Sequence, residues 1–468
     1  KLFQVINMSK GDVTMKKRVM FVVVLALLIG LLSFATAFAA TTTGIDVVNL
    51  SNSAGSVVVT FYAADGSSPG SVSENISAFG AVNFYIPNIP STTLPAGQYS
   101  AVVSSDVPVA ATVGLTDSPE KLGDDYVGTS VPAAELSFPL IYRNYGSYTS
   151  QLVIQNANNS AQTVNIEFFK QGVTTPAATD SANIQPMSYA VFDLADYAAF
   201  GNDFGGAVVT GSGPLAGTAI AIRDKGTGPA AKAELTYRAF TADQQGAEIL
   251  LPLFYNNFNN FNSGINVVNR GAVATDVTVE YTSSNGVAGG PWTTAPQTLQ
   301  PGQMYTFYQP AGLPSGVFGS AVVSSTAADV AVVVSSARVD GNGNNVAFAY
   351  EGAVSSAGSS CVALPVVHNR TSWKTGINIL NLGASASSVT ITYSSSNPAT
   401  PDATKTYSVP ANSPLTIYMP TDAATALGFY GGASLESTNG QPMLVLASSA
   451  NTTAGIARNY VGVNYTCP

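Results

Sequence analysis

Charged side chains are scarce in this sequence. Asp, Glu, Lys and Arg make up 10% of its 468 residues, where soluble domains carry about 25%. Histidine occurs once, at His368, and cysteine twice, at Cys361 and Cys467. One imidazole without a surrounding Cys, Asp or Glu cluster does not make a zinc site, so no metal is expected. The net charge of −9 argues against nucleic acid and anionic lipid as partners, because both need basic patches. Helical periodicity of useful length is also missing beyond residue 39, which excludes a helical bundle. Ser, Thr, Asn and Gly stand where charges usually do. A neutral polar surface keeps proteins apart less well than a charged one, which suits a protein with neighbours.

One long apolar run is present, near the N-terminus. Met15 is followed by Lys16, Lys17 and Arg18, then by apolar residues from Val19 to Phe34 and the small-residue stretch Ala35–Ala39. A basic start, a short apolar centre and an A-x-A site read as a secretory signal peptide cut after Ala39. Residues 1–14 are read as upstream residues without a role in the fold. Export implies an extracellular or cell-surface location, with no membrane span in the mature chain. In that compartment Cys361 and Cys467 are expected to form one disulfide, closing a loop across the last copy of the repeat described next.

The repeat is visible at four asparagines: GIDVVN ends at Asn49, LVIQN at Asn156, GINVVN at Asn269 and GINILN at Asn381, spaced 107, 113 and 112 residues apart. Eight residues after each stand Val57, Val164, Val277 and Val389; twelve after stand Phe61, Phe168, Tyr281 and Tyr393. Further on come Ala101, Ala207, Ala321 and Ala433, and then Tyr126, Tyr237, Tyr350 and Tyr460. Within each copy the period is two. Val277, Val279 and Tyr281 alternate with Thr278 and Glu280, which puts one row in a core and the other in water.

In copy three this pattern predicts about seven antiparallel strands, near 250–254, 265–269, 277–282, 304–308, 320–325, 330–336 and 345–350. The expected architecture is all-β: four tandem immunoglobulin-like β-sandwich modules forming a rod. The boundaries are 1–39 for upstream residues and leader, then modules at 40–134, 135–247, 248–360 and 361–468. Copies two to four each open with an apolar strand broken by a proline, at Pro139, Pro252 and Pro365. A proline donates nothing to a ladder, so an edge strand is expected. Module 1 lacks that strand. Its sandwich edge should therefore be open to strand addition, with the chain's other end, Val461 to Pro468, as a candidate donor in a head-to-tail assembly.

These motifs are most complete in copy three, as Pro252–Asn256, Ser263–Asn269, Val277–Tyr281 and Gly319–Ser325. They resemble the tandem Ig-like arrays of bacterial secreted surface proteins. The resemblance implies scaffolding, adhesion or assembly, and no activity.

Four segments suggest chemistry, and each has a plainer reading. Gly66–Gly70 matches G-x-S-x-G, but it lies between strands far from His368 and reads as a turn. Asp340–Asn344 with Glu351 resembles a calcium loop, yet Asn342-Gly343 between apolar runs is a hairpin signal. His368 reads as a structural residue at the surface. Tyr255, Phe258 and Phe261, interleaved with asparagines, offer either a domain-junction or subunit contact or a platform for a sugar. No acid, base or nucleophile recurs at equivalent positions, so neither an enzyme nor a cofactor is expected. The leading expectation is a secreted structural protein: a filament, sheath, surface-layer or adhesin subunit that associates with itself or with neighbouring surface proteins. The alternative is an adhesive module that binds polysaccharide or another surface without self-assembly.

Overall fold

The computed structural model describes residues 42–117, 119–225, 232–339, 345–451 and 453–467. The segment read as a leader, the Asp340–Asn344 segment read as a hairpin turn, and residues 226–231 lie outside them. The described chain is all-β, with several antiparallel sheets.

Copy one supplies β1 (Thr42–Asn49), β2 (Gly55–Tyr62), β3 (Gly70–Ile76), β4 (Ala81–Tyr85), β5 (Ser100–Ser105), β6 (Val109–Thr116) and β7 (Asp125–Val127). Copy two supplies β8 (Ala133–Arg143), β9 (Tyr148–Asn156), β10 (Gln162–Lys170), β11 (Ala178–Ile184), β12 (Tyr189–Asp193), β13 (Asp203–Asp224) and β14 (Lys232–Arg238). Copy three follows with β15 (Glu248–Phe258), β16 (Phe261–Asn269), β17 (Thr275–Ser283), β18 (Trp292–Thr293), β19 (Gln297–Leu299), β20 (Met304–Phe307), β21 (Val317–Ser325), β22 (Val330–Val339), β23 (Asn345–Glu351) and β24 (Ala353–Val354). Copy four has β25 (Cys361–Asn369), β26 (Trp373–Asn381), β27 (Ser387–Ser395), β28 (Ala403–Val409), β29 (Pro414–Tyr418), β30 (Phe429–Ser437), β31 (Met443–Asn451), β32 (Ile456–Val461) and β33 (Val463–Asn464).

The pairing repeats with the sequence. Val57, Val164, Val277 and Val389 open the strands β2, β10, β17 and β27, whose partners are β5, the first half of β13, β21 and β30. Val277, Val279 and Tyr281 are fully buried, as are Val389, Ile391 and Tyr393, while Glu280 is exposed. The period-two reading holds for these strands. For β16 and β26 it needs a correction, because their second rows are also buried: Asn266 and Val268 in one, Asn378 and Leu380 in the other. Those rows face the first strand of the preceding copy, β8 against β16 and β15 against β26. Val268 and Leu380 are apolar for that reason.

The proline strands also differ from expectation. They are not free edges. β15 pairs with β21 on one side and with β24 on the other, and β25 lies between β30 and β33. Each proline falls inside a register shift: Pro252 between Leu251 and Phe254, Pro365 between Leu364 and Val367, Pro139 between Phe138 and Ile141. A bulge is where a strand tolerates a residue without an N–H.

The rod is corrected as well. β8 packs on β16 and β22 of copy three, β15 on β26 and β31 of copy four, and β25 of copy four on β1 and β6 of copy one. Val48, Ala110 and Ala363 share one apolar cluster; Leu250, Leu380 and Leu444 share another. The last copy therefore meets the first, and Thr42–Pro468 closes into one compact unit. The physical reason is apolar surface on the outer rows, which a linear array leaves in water.

Candidate functional site

The repeated asparagines and the tyrosines Tyr237, Tyr350 and Tyr460 make structural contacts. Asn49, Asn156, Asn269 and Asn381 are each at most 1% exposed. Each donates its amide to the carbonyl four residues on, at Ser53, Ser160, Val273 and Ser385, at 2.7–2.9 Å. Each also donates to a carbonyl about 30 residues downstream, at Ser77, Ile184, Leu299 and Val409. Their carboxamide oxygens accept the N–H two residues on. The repeat's signature residue is thus a loop closer, because an Asx side chain mimics a backbone turn.

The strands that carry the repeated tyrosines, β7, β14, β23 and β32, meet at one buried carboxylate. Asp124 Oδ2 accepts the N–H of Thr236 at 2.7 Å and of Ala349 at 3.1 Å. Its Oδ1 accepts the N–H of Asp125 at 2.9 Å and of Asn459 at 3.2 Å. Those four donors are register equivalents, each the residue before the repeated tyrosine. Burial pushes the Asp124 carboxyl well above its ordinary pKa, and the N–H donors pull against that rise. Around it Arg458 pairs with Asp125 at 3.2 Å, and Glu351 accepts the backbone N–H of Arg238 at 2.5 Å. Glu351 is 4% exposed and so engaged inside the body. Burial raises the Glu234 carboxyl to about 7, against the Thr236 hydroxyl and the Arg458 charge.

The tyrosines themselves serve the proline bulges. Tyr237 donates its hydroxyl to the Leu140 carbonyl at 2.5 Å and accepts the Leu140 N–H at 3.0 Å. Tyr350 does the same for Leu253, and Tyr460 for Val366. In each case the clipped residue follows the proline. Tyr126 has no such strand, and its hydroxyl meets the Thr218 side chain of β13.

Tyr255, Phe258 and Phe261 come together in one cluster. Tyr255 lies 6.3 Å from Phe258 and 5.3 Å from Phe261; Phe318 and Phe348 complete the group, and Arg338 sits 4.7 Å over Phe261. The Tyr255 hydroxyl reaches Ser448 of copy four. Copy two repeats the arrangement with Tyr142, Tyr145, Tyr148 and Phe204, Arg223 over Tyr148, and the Tyr142 hydroxyl on Ser335 of copy three. In copy four the corresponding residue is His368, which stacks 5.6 Å from Trp373 while Arg458 covers that indole at 4.5 Å. The equivalence is exact in the backbone: Tyr142, Tyr255 and His368 each donate their N–H to the hydroxyl of Ser150, Ser263 or Thr375. His368 is therefore half-buried at a junction rather than a surface residue. Burial, reinforced by Arg458 and Arg370, lowers its imidazole to about 3.

Cys361 and Cys467 form a disulfide, with Cα atoms 5.4 Å apart and a separation of 106 positions in sequence. The tail it anchors pairs through β33 with β25, and Tyr465 packs near Phe79 of copy one. That tail is engaged within its own chain, which removes it as a strand donor to another. Gly66–Gly70 is the turn between β2 and β3, closed by the Ala63 N–H on the Ser67 carbonyl. Among the described residues no three His, Cys, Asp or Glu side chains group as metal ligands, and no helix is long and apolar enough to cross a membrane.

The profile of DUF5719, a family of unknown function, matches residues 127–420, more than half of the chain. The chain belongs to the DUF5719 family. No curated protein matches it. Among solved structures, Thermotoga maritima 1070 is 16% identical over 23% of this DUF5719 chain and 94% of its own, with a TM-score of 0.21. A tetra-tandem repeat from the extending region of a large adhesion protein is 16% identical over 89% of this chain and 93% of its own, at 0.10. A bacterial ice-binding adhesin is 14% identical over 72% of this chain and 99% of its own, at 0.12. Likenesses at these scores carry no argument about fold or role.

The sequence named the repeated Asn and Tyr positions without their tasks. Asp124 carried no signal at all, since it occurs in one copy only.

Proposed function

We propose that this DUF5719 chain is an exported structural protein of the bacterial cell surface or extracellular matrix, built from four immunoglobulin-like modules closed on themselves and used as an assembly subunit. The observation that carries this reading is the employment of the repeated polar positions. The four asparagines close loops, three tyrosines clip proline bulges, and four backbone N–H groups converge on Asp124. Among the described residues none of these repeated groups is left over as acid, base or ligand holder. The disulfide fits an oxidising compartment, the leader-like residues 15–39 supply a route there, and the low charge suits a surface that meets neighbours. The aromatic groups support junction packing over sugar recognition, because Tyr255 and Tyr142 face the next copy.

Expression with residues 1–39 intact in a bacterial host, followed by fractionation, mass spectrometry and negative-stain microscopy, tests the reading. The expected result is a chain beginning near Ala40 outside the cytoplasm, oxidised at Cys361–Cys467, that forms ordered particles. A cytoplasmic, reduced monomer would refute it. An exported monomer with affinity for glycan would select the adhesive alternative.

A further inference from the structure

In copies two to four the strands equivalent to β5 each carry a first strand on their outer side: β8 on β13, β15 on β21 and β25 on β30. Among the described residues β5 pairs with β2 alone and forms the edge of its sheet. The consequence reaches the core. Ala207, Val209, Ala321, Val323, Ala433 and Leu435 are at most 2% exposed. Their counterparts Ala101 and Val103 are half-exposed, as are Ala111 and Val113 on β6. Among the described residues the outer backbone of β5 is unpaired, and its half-exposed apolar row and that of β6 flank the slot that a first strand fills in the other copies. Tyr126 is the register equivalent of the tyrosines that clip that strand.

We propose that this slot accepts an extended strand from a different protein chain. Three occupants of the same slot already exist within this molecule and define the chemistry that fits. ELSFPLI, EILLPLF and CVALPVV direct Leu136, Phe138, Leu140 and their equivalents inward, carry no charge in their centre, and break at a proline where the tyrosine hydroxyl takes over. The outward side must differ. The internal strands dock on Val48 with Ala110, Val268 with Ala331, or Leu380 with Leu444, all buried apolar pairs. At the open position the receiving pair is Gln155 with Ala216, half-buried and partly polar. The partner strand is therefore apolar on its inward row and polar on its outward row, which is the pattern of strand addition at a sheet edge.

A fluorescent peptide of Ala134–Arg143 sequence, titrated into the chain Ala40–Pro468 alongside a scrambled control, tests this. The expected result is one peptide bound per chain, no binding of the control, and binding weakened about tenfold by Tyr126→Phe, the loss of roughly one hydrogen bond. Tyr126→Phe should leave the melting temperature of the free chain within a few degrees, since its hydroxyl there meets one side chain, Thr218, and clips no strand. As a second probe, Val103→Lys in a variant shown to be folded should abolish binding. No binding, or binding indifferent to both substitutions, overturns the proposal. Dimers of the free chain that the peptide dissolves would make a second copy the occupant, and refusal of the peptide by a chain retaining Met15–Ala39 would make it the chain's own upstream residues; either overturns the assignment to a different protein.

Discussion

The hydroxyl of Tyr237 and the backbone of Leu140 form a reciprocal pair: O–H to carbonyl at 2.5 Å and N–H to hydroxyl at 3.0 Å. The two residues are 97 positions apart, and the pair closes the gap that Pro139 opens in the β8–β13 ladder. Removing the hydroxyl leaves a buried N–H and a buried carbonyl unpaired. Tyr237→Phe, Tyr350→Phe and Tyr460→Phe should each cost about 1–3 kcal/mol in urea unfolding. A loss under a few tenths of a kcal/mol would mean that the bulge needs no clip.

Asp124 joins all four copies, so its loss should act on cooperativity as well as on stability. Asp124→Ala orphans four buried N–H groups and should cost upwards of about 4 kcal/mol. Calorimetry should show the single transition of the parent chain splitting into at least two. A variant that still melts in one transition at an unchanged temperature would deny Asp124 its role.

Glu234 gives the molecule a defined pH dependence. Its carboxyl is 5% exposed, and burial raises it to about 7 from the ordinary 4.5. Between those values the folded chain holds a proton that the unfolded chain releases, so stability rises as pH falls from above 7 towards 4.5. The full effect is on the order of 3 kcal/mol. His368 works the other way: with its imidazole held down to about 3, it withdraws stability as pH falls below about 6.5. Glu234→Gln should reduce the rise between pH 8 and 5, measured by urea midpoints, and leave the part contributed by Asp46, whose carboxyl is also raised by burial to about 7. An unchanged slope would place the titration elsewhere.

The two rows of β17 and β27 should respond unequally to charge. Val279→Asp and Ile391→Asp bury an unpaired carboxylate and should unfold the body or cost several kcal/mol. Thr278→Asp and Thr392→Asp, on half-buried outer positions, should cost under about 1 kcal/mol. Equal tolerance on both rows would contradict the register.

Much of this architecture was legible from alternation and spacing. The seven strands expected in copy three all occur, as β15, β16, β17, β20, β21, β22 and β23, and the Cys361–Cys467 bond forms. Closure was harder to read. Its clues were the apolar second-row residues Val48, Val268 and Leu380, which sit beside polar neighbours and mimic ordinary strand composition. The Asp124 convergence depends on backbone N–H groups, which any residue supplies, so no side-chain pattern announces it. The aromatic run at Tyr255–Phe261 left two readings open, because junction packing and sugar binding call for the same side chains. The contact of the Tyr255 hydroxyl with Ser448 of the next copy supports the first reading.

Small-angle scattering on Ala40–Pro468 tests closure most directly. A single compact body of this length should have a radius of gyration of about 22 Å. A linear array of four modules would give roughly double that value, and such a result would contradict the convergence of the four copies on Asp124.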